Sequence, residues 1–210
     1  MVVLIVLGWI LGIFLLLGTL FFLFYRFVFL RDPERNIPPG NVVVSPADGK
    51  IIQITEISAK TAQVRKGWLG KVLISPLFNG HCYLISIFMS PLDVHINRAP
   101  VGGNAASIKY NRGSFFNAGN LEGSFSNENN QILFHTAIGN VLVVQIAGFL
   151  ARRIECWVKI NQKVNKGEKI GMINLGSQVS MLVPKRGLRL NVSIGERVKG
   201  GESVIAHVVR

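Results

Sequence analysis

Hydrophobic positions along this chain follow two regimes. From Met1 to Tyr25 no side chain is charged and Leu, Ile, Val and Phe dominate; the first charge is Arg26. Such a stretch exceeds the roughly 20 residues needed to cross a bilayer core, so residues 1–30 are predicted to be a transmembrane anchor with its flank. A cleaved signal peptide fits poorly, because there is no basic leader, the run is too long and no small-x-small exit follows. Gly8, Gly12 and Gly18 leave a bent or hairpin-like insertion as an alternative to one straight helix. Residues 31–40, Arg31 to Gly40, form a charged, proline-rich linker.

Beyond residue 40 the pattern shortens. β-Branched and aliphatic runs recur at Asn41–Ser45, Lys50–Ile57, Lys71–Ile74, His81–Met89, Gln131–Thr136, Asn140–Gln145 and Ala151–Lys159, and two more flank Gly176, at Lys169–Leu175 and Val179–Pro184. Gly, Pro and Asn punctuate them closely, which favours a sandwich or barrel over alternating strand–helix units. A weak repeat relates the segment from Val164 to Gly171 to the segment from Val198 to Ile205, each a glycine-containing turn leading into an apolar strand. The predicted fold is therefore mainly β. It is a compact sandwich or barrel-like domain over 41–210, resembling a barrel-sandwich hybrid, preceded by the transmembrane helix. The attachment lysine of a biotinyl or lipoyl carrier is missing, so that likeness is one of architecture only.

Charge changes the picture in two ways. The chain carries 23 basic and 11 acidic residues, a net +12, which suits nucleic acid or an anionic membrane surface. No basic helix, zinc pattern or aromatic RNA motif supports nucleic acid, whereas a tethered basic domain already sits at anionic headgroups. Arg26, Arg31 and Arg35 crowd the far flank of the apolar run, which places the rest of the chain on the cytoplasmic side of the cell membrane. Cys82 and Cys156 read as unpaired thiols, and the isolated His81, His95, His135 and His207 offer no metal spacing.

Three segments could share one chemistry. Ser177 follows Gly176 between two apolar runs; His95 ends Ser90-Pro91-Leu92-Asp93-Val94-His95; Asp48 lies in Ser45-Pro46-Ala47-Asp48-Gly49. A hydroxyl, an imidazole and a carboxylate are the parts of an activated serine. Ser177 Oγ could attack the carbonyl of Gly176, a residue with no Cβ to block that face. His95 would take the proton and Asp48 would orient the imidazole. Ester formation, β-elimination and hydrolysis then leave a pyruvoyl group at 177. Asp48 also reads as a plain turn residue and Asp93 as a turn cap. His95 could equally be a core histidine, and Arg98, Arg152 and Arg153 are either lipid-phosphate ligands or solvated surface charges.

From Phe29 to Ala206 the chain resembles the phosphatidylserine decarboxylases, particularly their short membrane-anchored bacterial and archaeal form. The likeness is carried in order by Phe29–Arg35, Ser45–Gly49, Phe88–His95, Asn127-Glu128, Gln145–Gly148 and Leu175-Gly176-Ser177. The resemblance implies self-cleavage at Gly176–Ser177 into a β chain (1–176) and an α chain (177–210) that stay together as a heterodimer. It implies a pyruvoyl cofactor derived from Ser177, with Asp48 and His95 acting in cleavage and His95 in decarboxylation. The implied substrate is a membrane phospholipid, phosphatidylserine, converted to phosphatidylethanolamine and CO₂; archaetidylserine is the alternative. Oligomeric state is left open. Two departures stand out: Arg98 replaces a second histidine found in many relatives, and Asn129 follows Asn127-Glu128 where the family has arginine. Rival readings are an anchored serine peptidase, which would use Ser90 and a lysine base, and a sandwich-type adaptor. The arginine flank opposes the first, and the absence of heptads opposes the second.

Overall fold

A computed structural model of the chain describes residues 1–58, 78, 81–113, 127–148, 153–174 and 177–209. The expected strand at Lys71–Ile74, together with Arg152 and Gly176, lies outside them. The chain divides into two compact units, Met1–Pro33 and Glu34–Arg210.

In the first unit, helix α1 (Val2–Leu23) runs unbroken into a π-helical segment, Phe24–Phe29. The hairpin alternative is thus replaced by one continuous span. Its 22 residues cover about 33 Å at 1.5 Å per residue, enough for a hydrocarbon core of about 30 Å. None of its side chains is buried and every face is apolar, so the helix is long and apolar enough to cross a membrane. Thr19 satisfies its hydroxyl internally, donating to Leu15 O at 2.8 Å. Tyr25 stacks between Phe21 and Phe29 with centroids 6.4 and 5.4 Å away.

The second unit is an all-antiparallel β domain with strands β1 (Val42–Val44), β2 (Gly49–Ser58), β3 (His81–Met89), β4 (Ile96–Arg98), β5 (Gly103–Asn111), β6 (Asn129–Thr136), β7 (Gly139–Ala147), β8 (Ile154–Cys156), β9 (Lys163–Val164), β10 (Lys169–Ile173), β11 (Ser177–Pro184), β12 (Leu188–Leu190), β13 (Arg197–Val198) and β14 (Val204–Val208). Eight of them form a curled half-barrel in the order β13-β2-β3-β11-β7-β6-β5-β9, and two three-stranded sheets, β1-β14-β12 and β4-β10-β8, complete the domain. The mainly β expectation holds.

Strand β11 is central. It pairs with β3 from Ser177↔Met89 to Pro184↔Cys82 and with β7 from Ser177↔Ala147 to Leu182↔Leu142. Its alternate residues Val179, Met181 and Val183 enter the main core with Ile85, Ile87, Val141 and Val143. Leu182 points the other way, into a second cluster with Cys82, Leu84, Leu142, Val144 and Phe78. Burial on both faces is why this strand reads as a nearly continuous apolar run rather than an alternation.

The weak sequence repeat is a structural one. β9–turn–β10 and β13–turn–β14 each bend through a left-handed glycine, Gly167 at φ 79° and Gly201 at φ 81°, a conformation open to residues without Cβ. Each glycine N–H then docks on a segment from the other end of the domain: Gly167 N donates to Ala99 O and Gly201 N to Ser45 O, both at 2.8 Å. Those two segments bind each other reciprocally, Val44 N to Pro100 O and Arg98 N to Pro46 O, both at 2.9 Å. An approximate two-fold exchange therefore sets the Ser45–Gly49 motif beside the segment that follows His95.

Candidate active site

Ser177 is the first residue of β11, and its register sets it between Met89 and Ala147. All three are fully buried. The hydroxyl donates to the thioether of Met89, Oγ···Sδ 3.5 Å, a weak bond. Asn97 Nδ2 approaches the same sulfur at 3.7 Å. Behind it runs a chain of buried amides: Gln145 Nε2 donates to Asn97 Oδ1 at 2.9 Å, and Asn130 Nδ2 to Gln145 Oε1 at 2.8 Å. Asn97 and Gln145 are fully buried and Asn130 nearly so. In a medium of low polarity these bonds fix each partner's orientation strongly, since any loss strands a buried polar atom. Gly171 makes the reach of Gln145 feasible, because a Cβ there would stand 2.8 Å from Gln145 Nε2 and 2.2 Å from Glu155 O.

His95 lies between a tight turn and β4. Asp93 Oδ2 caps that turn, accepting from Ser90 N at 2.8 Å and Ser90 Oγ at 2.7 Å, while Asp93 Oδ1 pairs with Arg197. Asp93 thus acts as the expected turn cap, and Ser90 spends its proton inside the turn. His95 is fully buried. Its Nδ1 sits 2.8 Å from the carbonyl of Asp93, an acceptor that requires the proton on Nδ1 and makes Nε2 the basic nitrogen. Its own carbonyl accepts from Ile173 N at 3.4 Å, four residues before Ser177 in the chain.

The carboxylate of Asp48 is engaged elsewhere. Arg35 Nη2 donates to both of its oxygens at 2.9 Å, and Gly200 N donates to Oδ1 at 2.7 Å. The atom holding His95 Nδ1 is thus a backbone carbonyl in the histidine's own turn, where sequence reasoning expects Asp48. The physical reason is local: a two-residue reach within one turn costs less chain entropy than a contact between separate loops. Asp48 and His95 are brought onto neighbouring segments through the Arg98–Pro46 bond.

The remaining candidates separate cleanly. Arg98 is buried and donates to Gly167 O at 3.0 Å, tying β4 to the first glycine turn. Arg153 is exposed, 3.6 Å from Glu155. Asn127 Nδ2 holds the carbonyl of Ala147, the neighbour of Ser177, at 2.8 Å. Asn129 is used up locally, donating to Asn127 O and accepting from Asn111 and Gln131. Glu128 accepts from the phenol of Tyr110 and so raises that tyrosine's pKa. Burial pushes the Cys82 thiol up to about 11. Among the described residues no group of three or more His, Cys, Asp or Glu could hold a metal ion. Of the amides Asn97, Gln145 and Asn130, the sequence marks Gln145 alone, as the first residue of the Gln145–Gly148 motif and without a role; Asn97 and Asn130 carry no such signal.

Comparison with known proteins gives a consistent picture. Residues 21–206 match the phosphatidylserine decarboxylase family. A protein of Methanocaldococcus jannaschii provisionally named an archaetidylserine decarboxylase proenzyme is 44% identical over 189 residues, 88% of this chain and 90% of its own. Phosphatidylserine decarboxylase proenzymes of Syntrophus aciditrophicus and a Geobacter species are 41% and 40% identical, covering 83% and 93% of this chain and 76% and 85% of theirs.

Proposed function

Because the chain belongs to the phosphatidylserine decarboxylase family, we propose that it cuts itself between Gly176 and Ser177 and then decarboxylates the serine headgroup of a membrane phospholipid. The observation that carries this reading is the setting of Ser177: a buried hydroxyl at the head of a central strand, held only weakly by a thioether, on a chain whose basic histidine nitrogen is Nε2.

Cleavage requires Ser177 Oγ to attack the carbonyl of Gly176 while Nε2 of His95 takes the hydroxyl proton. A sulfur acceptor gives up that proton more readily than a carboxylate would. The amide nitrogen of Ser177 becomes an amine and an ester joins Gly176 to the serine oxygen. Elimination releases Gly176 as a carboxylate and leaves dehydroalanine, which water converts to a pyruvoyl group and ammonia. Asp48, fixed by Arg35 and Gly200, orders the loop whose Pro46 carbonyl accepts from Arg98 N, three residues after His95.

The surroundings of Ser177 fit a pyruvoyl group. Ala147 and Met89 are small or soft neighbours, all are shielded from bulk water, and β3 and β7 pin the strand that would carry the new terminus. Bound there, such a group supplies an electrophilic carbonyl that takes up the substrate's amine and accepts the electron pair left by CO₂. His95, protonated at Nε2, returns a proton to the carbon that lost CO₂. The two chains stay joined as a heterodimer because the small one keeps β11 inside the large sheet. The apolar helix anchors the enzyme in the cell membrane, and the arginines after it set the domain on the cytoplasmic side.

Intact mass and a denaturing gel of the purified full chain test the proposal. The expected result is two chains parting at Gly176–Ser177, the smaller one modified by borohydride plus amine. A single unmodified chain that still releases CO₂ from lipid would falsify it. Assaying phosphatidylserine and archaetidylserine side by side assigns the lipid.

A further inference from the structure

The segment ahead of β1 reads as a linker, yet Glu34–Gly40 belongs to the β domain and is bolted to it. The Arg35 side chain is only 5% exposed. Its Nη2 bridges both oxygens of Asp48 at 2.9 Å, its Nη1 lies 3.7 Å from Glu202, and its buried Nε has no partner among the described residues. Asn36 N donates to Glu202 Oε1 at 3.2 Å. Ile37 closes over the twin turns: a Cβ at Gly167 would lie 2.3 Å from Ile37 Cδ1, and one at Gly201 3.0 Å from it. Lys166 Nζ ends the strap, donating to Gly40 O at 2.8 Å.

We infer that this strap is part of the reaction centre and that Arg35 is a positioning residue for Asp48. A nearly buried carboxylate without a counter-charge is costly and would turn toward water. One guanidinium nitrogen across both oxygens, with the Gly200 amide on Oδ1, leaves it a single orientation. The loop bearing Asp48 is bonded through Pro46 to Arg98, three residues after His95, so a shift of the carboxylate moves the histidine's strand. A plain tether has no need of an arginine buried against two carboxylates. The inference rests on the self-cleavage proposed above.

The test uses the full chain in detergent, following conversion of precursor to two chains in wild type, Arg35→Ala, Arg35→Lys and Ile37→Ala, each with and without millimolar guanidinium chloride. Arg35→Ala is expected to convert at least about tenfold more slowly, the loss of a charge-assisted bond, and guanidinium to restore much of the rate. Arg35→Lys falls between, because an ammonium is a point charge that cannot serve Asp48 and Glu202 at once as the two Nη atoms do. Ile37→Ala lowers the melting temperature and is not accelerated by guanidinium. Conversion of Arg35→Ala at the wild-type rate, or a slowing that guanidinium leaves untouched, overturns the inference. Should Arg35→Ala fail to melt cooperatively, Arg35→Lys decides: slowed conversion at an unchanged melting temperature supports it, and wild-type conversion overturns it. An uncut wild type sinks this inference and the self-cleavage reading together; a cut wild type with an equally cut Arg35→Ala sinks only the inference.

Discussion

Replacing Gly171 by alanine adds one methyl group at the tightest point behind the candidate site. The new Cβ would stand 2.2 Å from Glu155 O and 2.8 Å from Gln145 Nε2. The first neighbour is backbone of β8, paired with β10 from Gly171↔Cys156 to Ile173↔Ile154, so it cannot swing aside. Either that ladder opens or Gln145 withdraws from Asn97. Overpacking of a close-packed core costs about 1–3 kcal/mol, and a stranded buried amide about 1–3 kcal/mol more. Taking about 3 kcal/mol in total, a domain of this size should melt about 6–12 °C lower. Gly102→Ala is the matched control: its Cβ would meet nothing nearer than 3.5 Å, and the stiffer unfolded chain should make the change neutral or stabilising by about 0.4–1 kcal/mol. Calorimetry of the full-length proteins in one detergent reads both. If Gly171→Ala melts with wild type, or if Gly102→Ala falls as far, the packing argument is wrong.

Two further outcomes follow from the titrating groups. With its thiol near 11, Cys82 should resist iodoacetamide at pH 8 in the folded protein while the partly exposed Cys156 is alkylated; peptide masses showing equal labelling would refute the buried placement. Tyr110, raised by its bond to Glu128, should ionise above the usual tyrosine range in the difference between wild-type and Tyr110→Phe ultraviolet titrations. Glu128→Gln should remove that delay. The sign follows from linkage: a phenol whose folded-state pKa is raised stabilises the fold below the unfolded value and loses that contribution as pH rises through the folded one. With Tyr110 half-exposed, its bond to Glu128 adds little to stability.

Legibility in the sequence tracked how local each determinant was. β3 was readable residue for residue because its hydrophobic run is bounded by Gly80-His81 and Ser90-Pro91. β5 was missed, since Gly103-Asn-Ala-Ala-Ser-Ile-Lys-Tyr-Asn is mostly polar and its strand state comes from pairing with β6 over Gly103↔Thr136 to Asn111↔Asn129. The twin turns were visible as a repeat because glycine, valine and glutamate recur at fixed spacing. Their docking partners were not, as Ser45 and Ala99 lie far away in the chain. At the site, Ser177, His95 and Asp48 were nameable from motifs. The arginine on Asp48 and the amide chain behind Met89 depend on contacts across the fold, to which no local pattern points; the Asp93 carbonyl on His95 is local, but it rests on the turn's backbone rather than on a side-chain motif.

The central place of β11 bears on timing. An edge strand can join a finished sheet late, but a strand hydrogen-bonded on both sides must be present when that sheet assembles. On the proposed cleavage, the small chain would be unable to enter a large chain that had closed without it. Synthesis as one polypeptide is then a device for assembly, and scission the step that records its completion.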